Sequence, residues 1–289
     1  MATYQALAIT LRCQRLREAD RVLTLLSRER GRVEAVVRGV GKPKSKLTPV
    51  TQLFSCNRLM LAEGKSLETV AQVQVVEAFY PLRQDPRRLG SAAYVAELVT
   101  KSSEPSPRAE GRYGPQVGQE SAELFDLVQK TLAALCVAPV AVKRARAAGP
   151  ADVQLVTHAF EAQFLGLHGY QIATEACLGC GGALVGRKLR FSAPEGGFYC
   201  APCAGGVGVG LAVCAGTVRT LARLQQRGLE GLQRLSPTRP VREELRAVLR
   251  AHLDFHVGAN LRSLDFLRSL ERAPAASRRA SAKNGRPTG

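Results

Sequence analysis

Residues 177–203, CLGCGGALVGRKLRFSAPEGGFYCAPC, carry the most specific pattern in this chain of 289 residues. The stretch begins and ends with a Cys-x-x-Cys pair, and 19 residues lie between the two pairs. Two residues within each pair let the four sulfurs converge on one tetrahedral ion, at zinc–sulfur distances of about 2.3 Å. The residues between the pairs are typical of a strand, a turn and a second strand. The stretch therefore predicts a zinc ribbon whose ligands are Cys177, Cys180, Cys200 and Cys203.

A shell of four thiolates leaves no coordination position for water, so the one predicted zinc ion would be structural rather than catalytic. A redox-active Cys-x-x-Cys would follow a strand and open a helix, and it would not require a second pair. The other cysteines are scattered along the chain, and we expect them to be small buried side chains. They are Cys13, Cys56, Cys136 and Cys214.

Helices are predicted on both sides of the ribbon, because apolar residues there recur at intervals of three and four. The third predicted helix spans about Val153–Leu167, with Val156, Phe160, Phe164 and Leu167 in one stripe and Gly169 as its stop. In the last predicted helix, Pro240 lies at a plausible start. The other helical stretches are residues 87–103, 121–136 and 218–228, and the last helix covers residues 241–257.

The first 80 residues have the alternating pattern of short β-strands. Five strands fit before Pro81, with Gly31 in a tight hairpin between the second and third. We expect shared faces for Leu7, Ile9 and Leu11 in the first strand, for Val33, Ala35 and Val37 in the third, and for Leu67, Thr69, Ala71, Val73 and Val75 in the last. Five short strands favour a small barrel of the OB-fold class, which is used for single-stranded nucleic acid.

The whole chain is therefore predicted to be an α+β multidomain protein. A five-stranded OB-fold barrel is followed by an α-helical domain into which the four-cysteine zinc ribbon is inserted. The predicted boundaries are 1–80 for the barrel, 81–171 and 211–272 for the two parts of the helical domain, 172–210 for the ribbon, and 273–289 for a basic tail. We expect the tail to be disordered, because its residues are small, polar and charged.

The charge of the chain favours a polyanionic partner, most often nucleic acid. Lys and Arg number 41 against 24 Asp and Glu, a formal charge of +17. Residues 1–80 contain 13 basic and 7 acidic side chains, and residues 211–289 contain 15 and 6, so the excess is +6 at one end and +9 at the other. The middle is nearly neutral, which indicates separate charged surfaces.

Several classes of protein are disfavoured. The apolar runs are too short and too often interrupted by charge for a membrane span, and no secretory signal is visible, so we expect a cytoplasmic protein. The near matches to enzyme motifs lack essential residues: Pro43 stands where a phosphate-binding loop has Ser or Thr, and Leu253 stands where a zinc protease has its Glu. We therefore predict no catalytic residues and no enzymatic activity.

Three stretches resemble the bacterial recombination mediator family RecO. They are RERGRVEAVVRGVGKPKSKLTPVTQLF at residues 28–54, FEAQFLGLHGYQIATEACLGCGG at 160–182, and HLDFHVGANLRSLDFLRSL at 252–270. The resemblance implies a non-enzymatic protein that binds single- and double-stranded DNA and anneals complementary strands. It also implies RecR as a partner, the loading of RecA onto DNA coated with single-strand binding protein (SSB), binding to the C-terminal tail of SSB, and an architectural zinc ion.

The predicted DNA contacts are cations of the barrel region, since phosphate neutralisation dominates binding that is independent of sequence. They are Arg15, Arg17, Arg21, Arg32, Arg38, Lys42, Lys44 and Lys46. Aromatic side chains for base stacking are scarce, and each candidate is equally consistent with a core position. These candidates are Tyr4, Phe54, Phe79 and Tyr80.

Two other classes fit the barrel, the ribbon and the charge. One is a zinc-ribbon RNA-binding or translation factor, and the other is a transcription-associated adaptor that acts through protein contacts alone. Faster annealing of complementary DNA, together with binding of an SSB tail peptide, would separate the mediator from both.

Overall fold

The computed structural model describes residues 2–42, 45–103, 115–139, 152–205, 210–258, 261–264 and 267. Its first five strands close into a barrel in the order β1-β2-β3-β5-β4, which confirms the predicted five-stranded, OB-like fold. The strands are β1 (Thr3–Arg15), β2 (Arg21–Ser27), β3 (Gly31–Val37), β4 (Cys56–Ala62) and β5 (Glu68–Glu77). All neighbouring strands are antiparallel except β3 and β5, and β1 pairs with both β2 and β4.

The hairpin between β2 and β3 has the predicted glycine. Gly31 has a φ of 65° and pairs with Ser27 across the turn. A positive φ is a conformation that glycine adopts without a steric penalty, so the sequence signal for this turn had a direct physical cause.

The two faces of β1 are both buried, but against different partners. The small side chains Ala6 and Ala8 lie in the barrel interior with Val33, Ala35 and Val37 of β3, as predicted for the β3 residues. Leu7, Ile9 and Leu11 also share a face, but it is the outer one: Ile9 and Leu11 belong to the core formed with the helices, and Leu7 packs against it. The larger apolar residues of β1 therefore attach the barrel to the rest of the molecule.

The prediction of one shared face along β5 is wrong. Glu68 and Val70 are buried, whereas Ala71 is exposed. The register of β5 against β4 shifts between Met60 and Leu61, which leaves Ala71 without a partner and returns Val73 to the barrel core. Since side chains alternate with a period of two, one extra residue reverses the face, and a continuous alternation from residue 67 to residue 75 could not reproduce it.

Three helices follow the barrel and confirm the predicted spacing: α1 (Pro86–Ser102), α2 (Pro115–Val137) and α3 (Val153–Leu167). The Asp85 carboxylate accepts hydrogen bonds from the first N–H groups of α1, and Asp152 accepts one from Leu155 N at the start of α3. These side chains satisfy donors that have no partner within the helix. Helix α3 is buried along nearly its whole length, and the chain leaves it at Gly169, whose φ is 78°.

The ribbon consists of β6 (Leu189–Ser192), β7 (Gly197–Tyr199), the single turn α4 (Ala201–Ala204) and β8 (Leu211–Val213). Its sheet has the order β7-β6-β8. The predicted strand, turn and strand are confirmed, but β8 was missed, because residues 211–213 were assigned to the second helical part. Three residues are too few to show an alternating pattern, and these three act as a strand only because they pair with β6.

The second helical part contains α5 (Ala215–Arg227) and α6 (Arg239–Val257), and Pro240 lies in the first turn of α6 as predicted. One apolar core is continuous from Ile9 of the barrel, through α1, α2 and α3, to Phe191 and Phe198 of the ribbon and to Leu261. Of the described helices, none is both long enough and apolar enough to cross a membrane. The predicted disordered tail, residues 273–289, lies outside the described residues.

Candidate metal centre and nucleic-acid interface

The four predicted metal ligands come from two tight turns that the ribbon brings together. In the first turn, Cys177 N donates to Gly182 O and Gly181 N donates to Cys177 O, both at 2.9 Å, and Gly181 has a φ of 68°. In the second, Cys200 caps the single turn α4 at the end of β7, so that Cys203 lies within that turn. Leu178 N donates to Phe198 O at 2.9 Å, which joins the two turns through the ribbon sheet.

The sulfur positions fit one tetrahedral metal ion. All four Sγ atoms lie within 4.8 Å of one another, and Cys180 Sγ is 3.7 Å from Cys200 Sγ. Four sulfurs at about 2.3 Å from a central zinc ion would be separated by about 3.8 Å along the edges of the tetrahedron. The spacing and the all-thiolate donor set therefore match a site that can hold a metal, and zinc is the ion that this donor set favours.

The backbone around Cys177 favours its thiolate form. The N–H of Cys200 donates to Cys177 Sγ at 3.2 Å, and the N–H of Gly179 does so at 3.4 Å. The hydrogen bond from Cys200 N is the main reason that the pKa of Cys177 falls to about 6, with smaller contributions from neighbouring amides. Hydrogen bonding to Cys200 and Cys180 raises the pKa of the Cys203 thiol to about 12. A bound cation is what would allow all four sulfurs to be deprotonated together.

A second cluster lies at one end of the barrel, where two loops meet. The β1–β2 loop (residues 16–20) and the loop after β3 (described at residues 38–42 and 45–47) both leave the barrel at this end, because Arg15, Arg21 and Val37 lie side by side in the sheet. Asp20 Oδ1 accepts from Gly39 N at 2.8 Å, and Ala19 O accepts from Gly41 N at 3.0 Å. A Cβ on residue 41 would lie 3.1 Å from Ala19 Cα, so glycine permits this close approach.

These two loops bring together most of the predicted DNA contacts. We call this cluster the barrel-end surface; its described members are Arg15, Arg17, Arg21, Arg38, Lys42 and Lys46. Five of the six are exposed; Arg21 is half-buried, and its guanidinium donates to carbonyl oxygens of the β1–β2 loop, the shortest at 3.0 Å to Asp20 O. Lys44 lies outside the described residues. The two acidic residues of the β1–β2 loop are Glu18 and Asp20, so cations dominate this end of the barrel.

Comparison with known proteins gives the same assignment for both halves of the chain. The family described as recombination protein O, N terminal, matches residues 1–79, and the family described as recombination protein O, C terminal, matches residues 116–265. The DNA repair protein RecO of Pelotomaculum thermopropionicum is 35% identical over 277 residues, covering 96% of this chain and 98% of that protein. The chain belongs to the RecO family.

Other RecO proteins have similar coverage. The DNA repair protein RecO of Moorella thermoacetica is 34% identical over 268 residues, which are 92% of this chain and 91% of that protein. The DNA repair protein RecO of Symbiobacterium thermophilum is 30% identical over 275 residues, which are 94% and 100% of the two chains. Similarity at this level covers the barrel, the helices and the ribbon together.

Arg32 of this RecO-family chain lies away from the barrel-end surface. It pairs with Leu26 near the β2–β3 hairpin, at the other end of β3. Its guanidinium donates to Thr100 O at 2.9 Å and Ser103 O at 2.8 Å, and it forms an ion pair with Glu34 at 3.0 Å. Arg32 therefore joins the barrel to the C-terminal end of α1, and we leave it out of the barrel-end surface.

The aromatic candidates for base stacking differ in exposure. Phe54 and Phe79 are 2% and 4% exposed and belong to the core, while the ring of Tyr4 lies under the Arg30 guanidinium, 3.3 Å from it. Tyr80 is 65% exposed, but it follows β5 rather than the barrel-end loops. Any binding of nucleic acid at the barrel-end surface would thus depend on charge far more than on the stacking of bases on aromatic side chains.

Two residues near this surface were missed from the sequence. Arg12 is exposed and lies beside the register shift of β1 against β2 between Thr10 and Arg12. Simple alternation would place Arg12 on the inner face with Ala6 and Ala8, so the sequence pattern could not indicate its exposure. Leu16 is 50% exposed in the β1–β2 loop between Arg15 and Arg17. No periodicity marks a single apolar residue in a loop, so only the structure shows that Leu16 is exposed.

Proposed function

We propose that this RecO-family chain binds single- and double-stranded DNA, anneals complementary strands and, with RecR, helps to place RecA on DNA coated with SSB. The observation that carries the proposal is the barrel-end surface, where two hydrogen-bonded loops place six described cations at one end of an OB-like barrel. A cluster of this kind neutralises several phosphates at once and releases their counterions. Binding should be strong at low salt and largely independent of sequence.

The partners follow from membership of the RecO family rather than from a contact in the structure. We include RecR, RecA and the acidic, apolar C-terminal tail of SSB in the proposal, and we assign no residues to their contacts. The protein should act in the cytoplasm at the nucleoid, where these partners and DNA are found.

The metal ion in this proposal is one zinc per chain with a structural role. Cys177, Cys180, Cys200 and Cys203 would hold it, and their four thiolates would complete its coordination. When bound, zinc would supply charge neutralisation and a rigid crosslink between the two ribbon turns. Without an open ligand position for water, the zinc ion would have no catalytic role.

Salt dependence tests the barrel-end surface. Changing Arg38, Lys42 and Lys46 together to Ala should lower affinity for a single-stranded oligonucleotide and flatten the plot of log affinity against log salt. Each lost phosphate contact contributes about 0.7 to the slope for single strands, so the slope should become less negative by about 2. Fluorescence anisotropy at several salt concentrations measures both quantities.

A triple variant with the same change in charge serves as the control. Lys130, Arg239 and Arg246 are exposed on α2 and α6, and their change to Ala should leave the slope within about 0.5 of the wild-type value. An unchanged slope in the barrel variant would place the DNA site elsewhere on the molecule. A preference for RNA without annealing of DNA would favour the zinc-ribbon RNA-binding class instead.

A further inference from the structure

Helix α5 has one apolar face and one cationic face. Val218, Leu221 and Leu224 are buried against the rest of the molecule. Arg219, Arg223 and Arg227 are exposed, and their spacing of four residues places them in one row along the opposite side. We call these three residues the α5 row. Helix α5 contains no Asp or Glu, so no carboxylate on the helix offsets its charge.

The α5 row differs from the arginines of the neighbouring helix. On α6, Arg239 pairs with Glu243 at 2.8 Å and Arg250 pairs with Asp254 at 2.6 Å, while Arg242 binds Asp152. Within the part of the chain that the structure describes, none of the three α5 guanidinium groups contacts a carboxylate. These three α6 arginines are thus paired with carboxylates, whereas the charges of the α5 row are directed to solvent.

Two more exposed cations belong to the loop that contacts the start of α5. Gly186 O accepts from Ala215 N at 2.9 Å, which joins the loop before β6 to the first residue of α5. The same loop carries the exposed cations Arg187 and Lys188. Glu244 accepts from Cys214 N and from the Thr217 hydroxyl, so its carboxylate caps the start of α5. The exposed Glu230 follows the end of α5, and its N–H donates to Arg227 O at 3.0 Å.

Helix stability does not account for this arrangement. Like charges four residues apart repel each other and destabilise an isolated helix, and the α5 row contains two such pairs in succession. A cation in the last turn, such as Arg227, is favoured by the helix dipole, but that effect does not reach Arg219 four residues into the helix. The row therefore fits a polyanion that lies along α5.

We propose that the α5 row binds the phosphate backbone of a second DNA strand while the barrel-end surface holds the first. The inference rests on the proposed function. At 1.5 Å per residue the row is about 12 Å long, which corresponds to three or four phosphates at the B-form rise of 3.4 Å. Helix α5 packs on α3 and α6, whereas the barrel packs on α1 and α2, so two strands can bind on different parts of the molecule. Shielding both strands reduces their repulsion and raises their local concentration for pairing.

Energy transfer between two labelled strands that are not complementary tests this directly, because it detects a complex of two strands without base pairing. The full-length Arg219→Gln/Arg223→Gln variant should bind the first strand within twofold of wild type. Its affinity for the second strand should fall at least tenfold, and its rate of annealing complementary strands should fall by a similar factor. The matched control is Arg239→Gln/Arg246→Gln on α6, which removes the same charge from another exposed helix face and should match wild type in all three measurements. Circular dichroism and zinc content should be unchanged in both variants.

The outcomes separate the two proposals. If the wild-type protein binds no DNA strand at moderate salt, the proposed function fails and this inference fails with it. If wild type binds the first strand but no second strand, or if the α5 variant binds and anneals both as wild type does, only the α5 surface is overturned. An equal loss in the α6 control would show that net charge, rather than the α5 row, accounts for second-strand binding.

Discussion

Cys177 is the most buried of the four candidate metal ligands, and its sulfur accepts hydrogen bonds from the backbone. It is 3% exposed, and two backbone N–H groups point at its Sγ atom. Amide hydrogen bonds of this kind stabilise negative charge on sulfur, which is the form that binds a metal. Loss of this one sulfur should therefore affect both metal binding and the packing of the two turns.

We predict that Cys177→Ser loses its zinc and about 4 kcal/mol or more of unfolding free energy, because loss of a structural metal is among the largest single-residue effects. Metal analysis and urea unfolding measure the two losses. Cys214→Ser is the control: its thiol lies 3.6 Å from the Thr217 hydroxyl and outside the four-sulfur cluster, so zinc content should not change. A metal-free Cys177→Ser protein that keeps wild-type stability would contradict a structural role.

The hydrogen bonds and ion pair of Arg32 predict a role in stability rather than in DNA binding. We expect Arg32→Ala to lower the unfolding free energy by about 2 kcal/mol, since two carbonyls at the end of α1 and Glu34 lose a charged partner. Affinity for DNA should stay within about twofold of wild type, a change of no more than about 0.4 kcal/mol. Denaturant unfolding and anisotropy give both values, and a tenfold loss of affinity with unchanged stability would return Arg32 to the DNA surface.

At the scale of elements, Glu97 of α1 holds the segment at residues 261–264. Its carboxylate accepts from the Ser263 hydroxyl at 2.6 Å and from the N–H groups of Arg262 and Ser263 at 3.0 and 2.8 Å. Burial alone would raise the pKa of Glu97, but these hydrogen bonds, first among them that from the Ser263 hydroxyl, outweigh it and lower the pKa. The carboxylate thus serves as a helix cap supplied by another element.

This contact should make part of the stability depend on pH. Because the folded-state pKa of Glu97 is lowered, its contribution is complete above the ordinary value of about 4.3 and is lost as the pH falls through the folded-state pKa. We expect Glu97→Gln to cost about 1 kcal/mol at pH 7, as for loss of a helix cap, and less at acidic pH. Urea unfolding across this range measures the difference, with the exposed Glu123→Gln on α2 as the control. A difference that does not change with pH would exclude the charge as its cause.

The elements that could be read from the sequence are those with long, regular patterns. Helix α3 and the two Cys-x-x-Cys turns were placed correctly because their spacing follows directly from helix geometry and metal coordination. The face of β5 and the existence of β8 were not predicted, since a bulge at Ala71 and pairing with β6 are tertiary effects that leave no mark in a short pattern. Charge alone could not show that Arg32 contacts α1 while Arg38 is exposed, because this difference also depends on tertiary structure.

At the scale of the whole molecule, the barrel has its own interior, but its outer face is part of the common core. Ile9, Leu11, Leu26 and Phe54 pack with the helices, and the same core continues to Phe198 of the ribbon. An element that buries apolar surface against its neighbours depends on them for stability.

We therefore expect the full chain to unfold in a single transition, detected at the same urea concentration by circular dichroism and tyrosine fluorescence. A fragment of residues 1–80 should expose the outer apolar face, bind a hydrophobic dye and associate at micromolar concentration. Two separate transitions, or a monomeric fragment that binds no dye, would show instead that the barrel is an independent folding unit.

The continuous core also connects the barrel end to α5 through packed elements. A molecule with two strand-binding surfaces joined by a hinge could bring its strands together by closing. In this chain the described elements share one packed core, so we expect the gap between the two surfaces to stay constant. Pairing of two bound strands would then require the DNA itself to bend or slide toward its complement, while the protein acts as a rigid spacer of fixed length.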